Sequence, residues 1–160
     1  MQSTNPIAFK AAAGVARDSF EGGMKISLAE LSNVLAEKAQ KISDIANKTI
    51  DAFTNHFDDA VSELSSLIVK PVQKRDELIP EYNGILEGLK GRMNQTEQDA
   101  LAQIDSLSEI PKNAPDGEDA QKTITAFNSF TKVDKMTIGL EKDSKIMDFE
   151  GKWQDFYYLP

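Results

Sequence analysis

The sequence predicts a mainly α protein, either a long antiparallel helical hairpin or an elongated helical bundle, with a small β element near the C-terminus. Three observations carry this: one apolar seam at helical spacing through residues 28 to 67, a second seam that returns to Ile110, and a single obvious loop after it. The chain of 160 residues has the size of one domain, able to bury a modest core once its helices fold back on one another.

Residues 1–24 read as an N-terminal helical arm. Asn5-Pro6 places a cap before a proline at the first helical position, Phe9, Ala12, Ala13, Ala16 and Phe20 recur at helical spacing, and Gly22-Gly23 ends the run. The next start is sharper. Ser27 and Glu30 form a Ser-x-x-Glu capping box, and Ile26 and Leu31 are placed as a hydrophobic staple, so a helix is predicted to begin at Leu28.

Leu28, Leu31, Leu35, Ala39, Ile42, Ala46, Ile50, Phe53, Phe57, Ala60, Leu64 and Leu67 then recur about every 3.5 residues, close to the coiled-coil period. An unbroken helix over that stretch is about 60 Å long and needs a partner along its length. Pro71 should break or kink it. Val72, Leu78, Ile79, Tyr82, Leu86, Leu89 and Met93 resume the spacing, disturbed at Pro80, and Ala100, Leu101, Ile104 and Leu107 carry it on. Residues 27–110 are therefore predicted to form the hairpin or stalk. Gly84, Gly88 and Gly91 lie on one side of the return arm, and with the turn dipeptide Asn83-Gly84 they predict a hinge or break rather than a close helix contact.

Residues 111–118, with two prolines and Asp116-Gly117, read as the loop. Within 119–160, Ala120, Ile124, Phe127 and Phe130 or Thr131 fit another helix. Met136, Ile138 and Leu140 alternate with polar or small residues as a half-buried strand does, with Met147 and Phe149 placed to pair back. Phe149, Trp153, Phe156, Tyr157 and Tyr158 gather five of the twelve aromatic residues at the end of the chain. Large rings dominate interface energetics when they fill pockets, which makes Trp153, Phe156, Tyr157 and Tyr158 the candidate interaction residues. The competing reading has them closing the end of the protein's own core.

Chemistry is poorly represented. There is no cysteine, so disulfides, thiolate nucleophiles and thiolate metal sites are excluded. The single histidine, His56, matches no metal-ligand spacing and reads as a surface residue. No Gly-x-Ser-x-Gly elbow is present, and no cofactor or metal site is expected. The acids Glu30, Glu37, Asp44, Asp51 and Asp58 recur at intervals of seven and read as a solvated face.

With 18 basic and 26 acidic residues the formal charge is -8, which repels nucleic-acid backbones and anionic lipid headgroups. The longest strongly apolar run, Leu67-Ile68-Val69, is far short of the ~20 residues of a spanning helix. No secretory signal is visible, although residues 1 to 17, with Lys10, Arg17 and no acid, also have the composition of an organellar presequence. The expected location is intracellular, cytoplasm or organelle matrix. The expected function is that of a non-catalytic structural or protein-interaction subunit whose partners are other protein subunits, self-association included. The alternative is an amphipathic helical coat on a lipid or polymer surface, against which the scarcity of Lys and Arg beside the seam counts.

Overall fold

The computed structural model describes residues 24–68 and 72–158. It is an all-α three-helix bundle: α1 is Leu28–Ile68, α2 is Ile79–Leu107 and α3 is Glu118–Tyr157, with a 3-10 segment at Val72–Leu78 ahead of α2. The N-terminal arm predicted over 1–24 lies, apart from Met24, outside the described residues, as does Pro71.

The helix starts follow local chemistry. At α1 the Ser27 hydroxyl accepts from the Glu30 amide at 3.1 Å and the Glu30 carboxylate accepts from the Ser27 amide at 3.5 Å, which satisfies two amides that have no partner inside the helix. Pro80 sits in the first turn of α2, where its missing N–H costs nothing, so it starts the helix rather than disturbing it. Gly117, at φ 110°, takes the left-handed turn from which the Gln121 amide bonds back at 3.1 Å.

The chain divides into two compact units. In the first, of residues up to Ala39 and 108–130, Leu31, Leu35, Ala120 and Phe127 are buried. There the Ile26 amide donates to the Asn113 carbonyl at 2.9 Å and Lys38 Nζ to the Glu109 carbonyl at 2.7 Å, fastening the 108–117 loop to α1. In the second, of residues 40–107 and 131–160, three helical stretches run in alternating directions. His56 meets Thr96 while Glu63 meets Arg92, and Asp105 meets Lys135 while Glu97 meets Lys142. Numbers rising on one helix thus pair with numbers falling on the next.

The buried face of α1 in this second unit reads Ile42, Ala46, Thr49, Phe53, Ala60, Leu64 and Leu67, the spacing of three and four that keeps one seam against its neighbours. Ile50 and Phe57 are only half-buried. The acids Glu30, Glu37, Asp44, Asp51 and Asp58 are all exposed, as a solvated face requires.

Two further expectations are corrected. The glycines do not hinge α2, which is one α-helix through Gly84, Gly88 and Gly91. Nothing lies within 4 Å of a methyl added at Gly84 or Gly91, so neither serves a close approach. Gly84→Ala and Gly91→Ala are each expected to stabilise the fold by about 1 kcal/mol, read as a rise in urea midpoint, because alanine gives up less backbone freedom.

The β element is also absent. Residues 136 to 149 lie wholly within α3, with Ile138 and Phe149 fully buried and Met136, Leu140 and Met147 exposed. The alternation arises from a helix that is apolar on two opposite sides, since positions i and i+2 lie about 200° apart on a helix. Among the described residues every regular element is helical, and no helix is long and apolar enough to cross a membrane.

Candidate interaction surface

The four candidate residues at the chain end have different fates. Trp153 and Phe156 are 7% exposed and belong to the second unit's core. Tyr82 of α2 lies flat on Trp153, with centroids 4.5 Å apart and planes 8° apart, and also stacks on Phe149 at 5.8 Å. Burial and the nearby Glu150 carboxylate push the Tyr82 hydroxyl above its ordinary pKa. Arg75, from the 3-10 segment, lies 5.2 Å over the Phe156 ring and donates from Nη1 to the Tyr157 carbonyl at 3.0 Å. A cation there satisfies a carbonyl at the negative end of α3.

Tyr157 is half-buried, and its hydroxyl donates to Asp76 Oδ1 at 2.6 Å, which raises its pKa because the bond is lost when the phenol ionises. Only Tyr158 is presented to solvent, at 77% exposure, edge-on to Tyr157. The aromatic cluster thus closes its own unit, and Tyr158 with the outer edge of Tyr157 is what it offers outward.

The larger apolar surface lies along the outer side of α3. Val133, Met136, Leu140 and Met147 are 58, 56, 66 and 69% exposed. At 100° per residue they fall within an arc of about 60°, and Gly151 and Tyr158 continue the same line. The buried residues Thr131, Ile138, Phe149, Trp153 and Phe156 occupy the opposite side of the helix. Isolated exposed apolar residues are ordinary on a surface, but four on one arc at spacings of three, four and seven, with Asp143 in the last interval, are the form a helix takes when it is packed on both sides. Period-two alternation hid this row in the sequence. Reading α3 for two registers of three-and-four spacing finds it.

The row ends in an open groove of about 580 Å³ between α2 and α3, lined by Ile79, Tyr82, Asn83, Met147, Gly151, Trp153, Tyr157 and Tyr158 among others. A second open groove of about 550 Å³ runs between α1 and α2, lined by Lys41, Asp44, Lys48, Thr49, Thr96, Asp99 and Gln103 among others. Its walls alternate in charge, and they assemble no nucleophile beside a base.

His56 is not a surface residue as expected. It lies half-buried on α1 between Phe53 and Ala60, as Phe57 does, with Nε2 3.0 Å from Thr96 Oγ1. Burial, aided by the Arg92 guanidinium and opposed by Asp59, lowers its pKa below 6.5. The unfolded chain therefore binds more protons between the folded value and 6.5, so stability rises with pH up to about 6.5 and is lost on acidification through that window. His56→Gln should flatten this dependence in urea midpoints taken between about pH 5 and 7.5. Burial raises the Asp134 carboxyl above 3.8, with the opposite sign of effect, and the variant leaves that contribution in place.

Among the described residues no group of histidines and acids could hold a metal ion. No protein-family model, curated protein or solved structure matches the chain.

Proposed function

We propose that the chain is a non-catalytic helical subunit that works by protein–protein contact within a larger intracellular assembly. The observation that supports this best is the outer row of α3, Val133, Met136, Leu140 and Met147, aligned at helix-packing spacing and left open to water. The helix is built to be apolar on two sides while its own unit covers one. Tyr158 extends the row to the chain end, so the aromatic segment contributes to contact through its exposed edge and to folding through the rest.

A lipid-coating role is the weaker reading. Interfacial helices border their apolar face with Lys and Arg, whereas the outer row here runs past Asp143, Asp148, Glu150 and Asp155. The test is affinity isolation of the full chain from its native source followed by native mass spectrometry. A partner chain in fixed stoichiometry is the expected result; recovery of the chain alone, as a monomer, contradicts the proposal. Flotation with vesicles would favour the coating role instead.

A further inference from the structure

We infer that the outer row of α3, together with the groove at its C-terminal end, docks a basic amphipathic helix of another protein. This rests on the interaction reading above and names the partner's chemistry. The row Val133, Met136, Leu140, Met147 advances by three, four and seven residues, the spacing that lets one helix seat its apolar side chains between those of another. Gly151, where nothing lies within 4 Å of the missing side chain, leaves the line shallow as it reaches the groove. The groove, floored by Tyr82 and Trp153 and walled by Tyr158, is shaped to take a large apolar residue near one end of the visiting helix.

The borders of the row decide what sits there. On one side, counting 100° per residue, lie Lys132, Asp143 and Glu150; on the other lie Asp148 and Asp155. Four carboxylates face one ammonium, and both borders are acidic. A parallel second copy laid along this face brings Asp143 against Asp148 and Glu150 against Asp155, and an antiparallel copy pairs Lys132 with Glu150 on one border but leaves the Asp148 and Asp155 border with no base, so neither arrangement satisfies both borders. An anionic membrane is repelled for the same reason. A helix with Leu, Ile or Met at its core positions and Lys or Arg at the flanking ones satisfies the apolar row and both borders at once.

The experiment titrates the full chain, by calorimetry at low salt, with two synthetic helical peptides of about 20 residues that share Leu at a and d positions and differ in carrying Lys or Glu at e and g. The Lys peptide is expected to bind at least tenfold more tightly than the Glu peptide. Met136→Gln/Leu140→Gln/Met147→Gln, which alters no charge, should weaken the Lys peptide at least tenfold with an unchanged unfolding midpoint. Asp148→Lys/Asp155→Lys should narrow the difference between the peptides.

Equal binding of the two peptides overturns the assignment, as does undiminished Lys-peptide binding by the triple Gln variant, which would mean charge attraction alone. A wild-type dimer that the triple variant dissociates would make the occupant a second copy. Co-flotation with phosphatidylcholine–phosphatidylglycerol vesicles, lost in that variant, would make it lipid. A native partner retained equally by wild type and triple variant overturns this inference and leaves the interaction reading intact; no partner for the wild type overturns both.

Discussion

Trp153→Ala is expected to destabilise the fold by about 3–5 kcal/mol, the usual loss when a large buried ring is truncated to a methyl. The ring is 7% exposed, lies flat on Tyr82 at 4.5 Å, and touches Phe156 and Tyr157 at centroid distances of 5.4 and 5.7 Å. Removing it leaves a cavity bordered by Tyr82 of α2 and by Phe156 and Tyr157 of the same helix, so little of the space can collapse. Urea unfolding followed by far-ultraviolet circular dichroism is the suitable measurement, because Trp153 is the only tryptophan and its fluorescence leaves with it. Tyr158→Ala, two residues beyond the last buried ring and exposed, should stay within about 0.5 kcal/mol of wild type. If Trp153 served only as a docking residue, the two variants would be equally stable.

The second large effect separates a helix from a strand at residues 136 to 140. Ile138→Asp places an unpaired carboxylate at a fully buried position and is expected to cost about 4 kcal/mol or more, enough to abolish cooperative unfolding in a marginal fold. Met136→Asp and Leu140→Asp fall on exposed positions and should cost about 1 kcal/mol or less each, most of it helix propensity. A strand would align all three side chains on one face and make the three variants equally severe. Circular dichroism melts of the set distinguish the two cases directly.

Local rules served well where one signal governed a segment. The capping box at Ser27, the single seam of α1, the return arm to the end of α2 and the loop before Gly117 are each set by short-range chemistry or by one periodicity, and the structure has them in place. Reading failed where two signals overlapped. In α3 the inner face, with Ile138 and Phe149, and the outer face, with Met136, Leu140 and Met147, interleave so that neighbours two apart are all apolar. A two-sided helix imitates a strand, and the property that misled the reading is the one that leaves a surface for contact.

The aromatic end was legible as a cluster but not in its orientation. Whether Trp153 points inward depends on Tyr82, more than seventy residues earlier, and on Arg75 over Phe156, neither of which sequence spacing relates to it. His56 is similar: the α1 seam admits His56 or Phe57 at the gap after Phe53, and only the Thr96 hydroxyl across from it shows that the imidazole turns toward α2. The glycines of α2 do not break it, since tertiary packing elsewhere along the helix carries three unfavourable positions.

α3 keeps one apolar face covered and the other open, and methionine reactivity measures this in a single sample. Met93 is fully buried, whereas Met136 and Met147 are 56 and 69% exposed. Brief peroxide treatment of the native chain, with oxidation at each methionine read by peptide mass spectrometry, should convert Met136 and Met147 to sulfoxide at rates near those of the unfolded chain while Met93 lags at least tenfold. Met136 and Met147 protected as strongly as Met93 would contradict an open outer face, because that side of α3 would then already be buried.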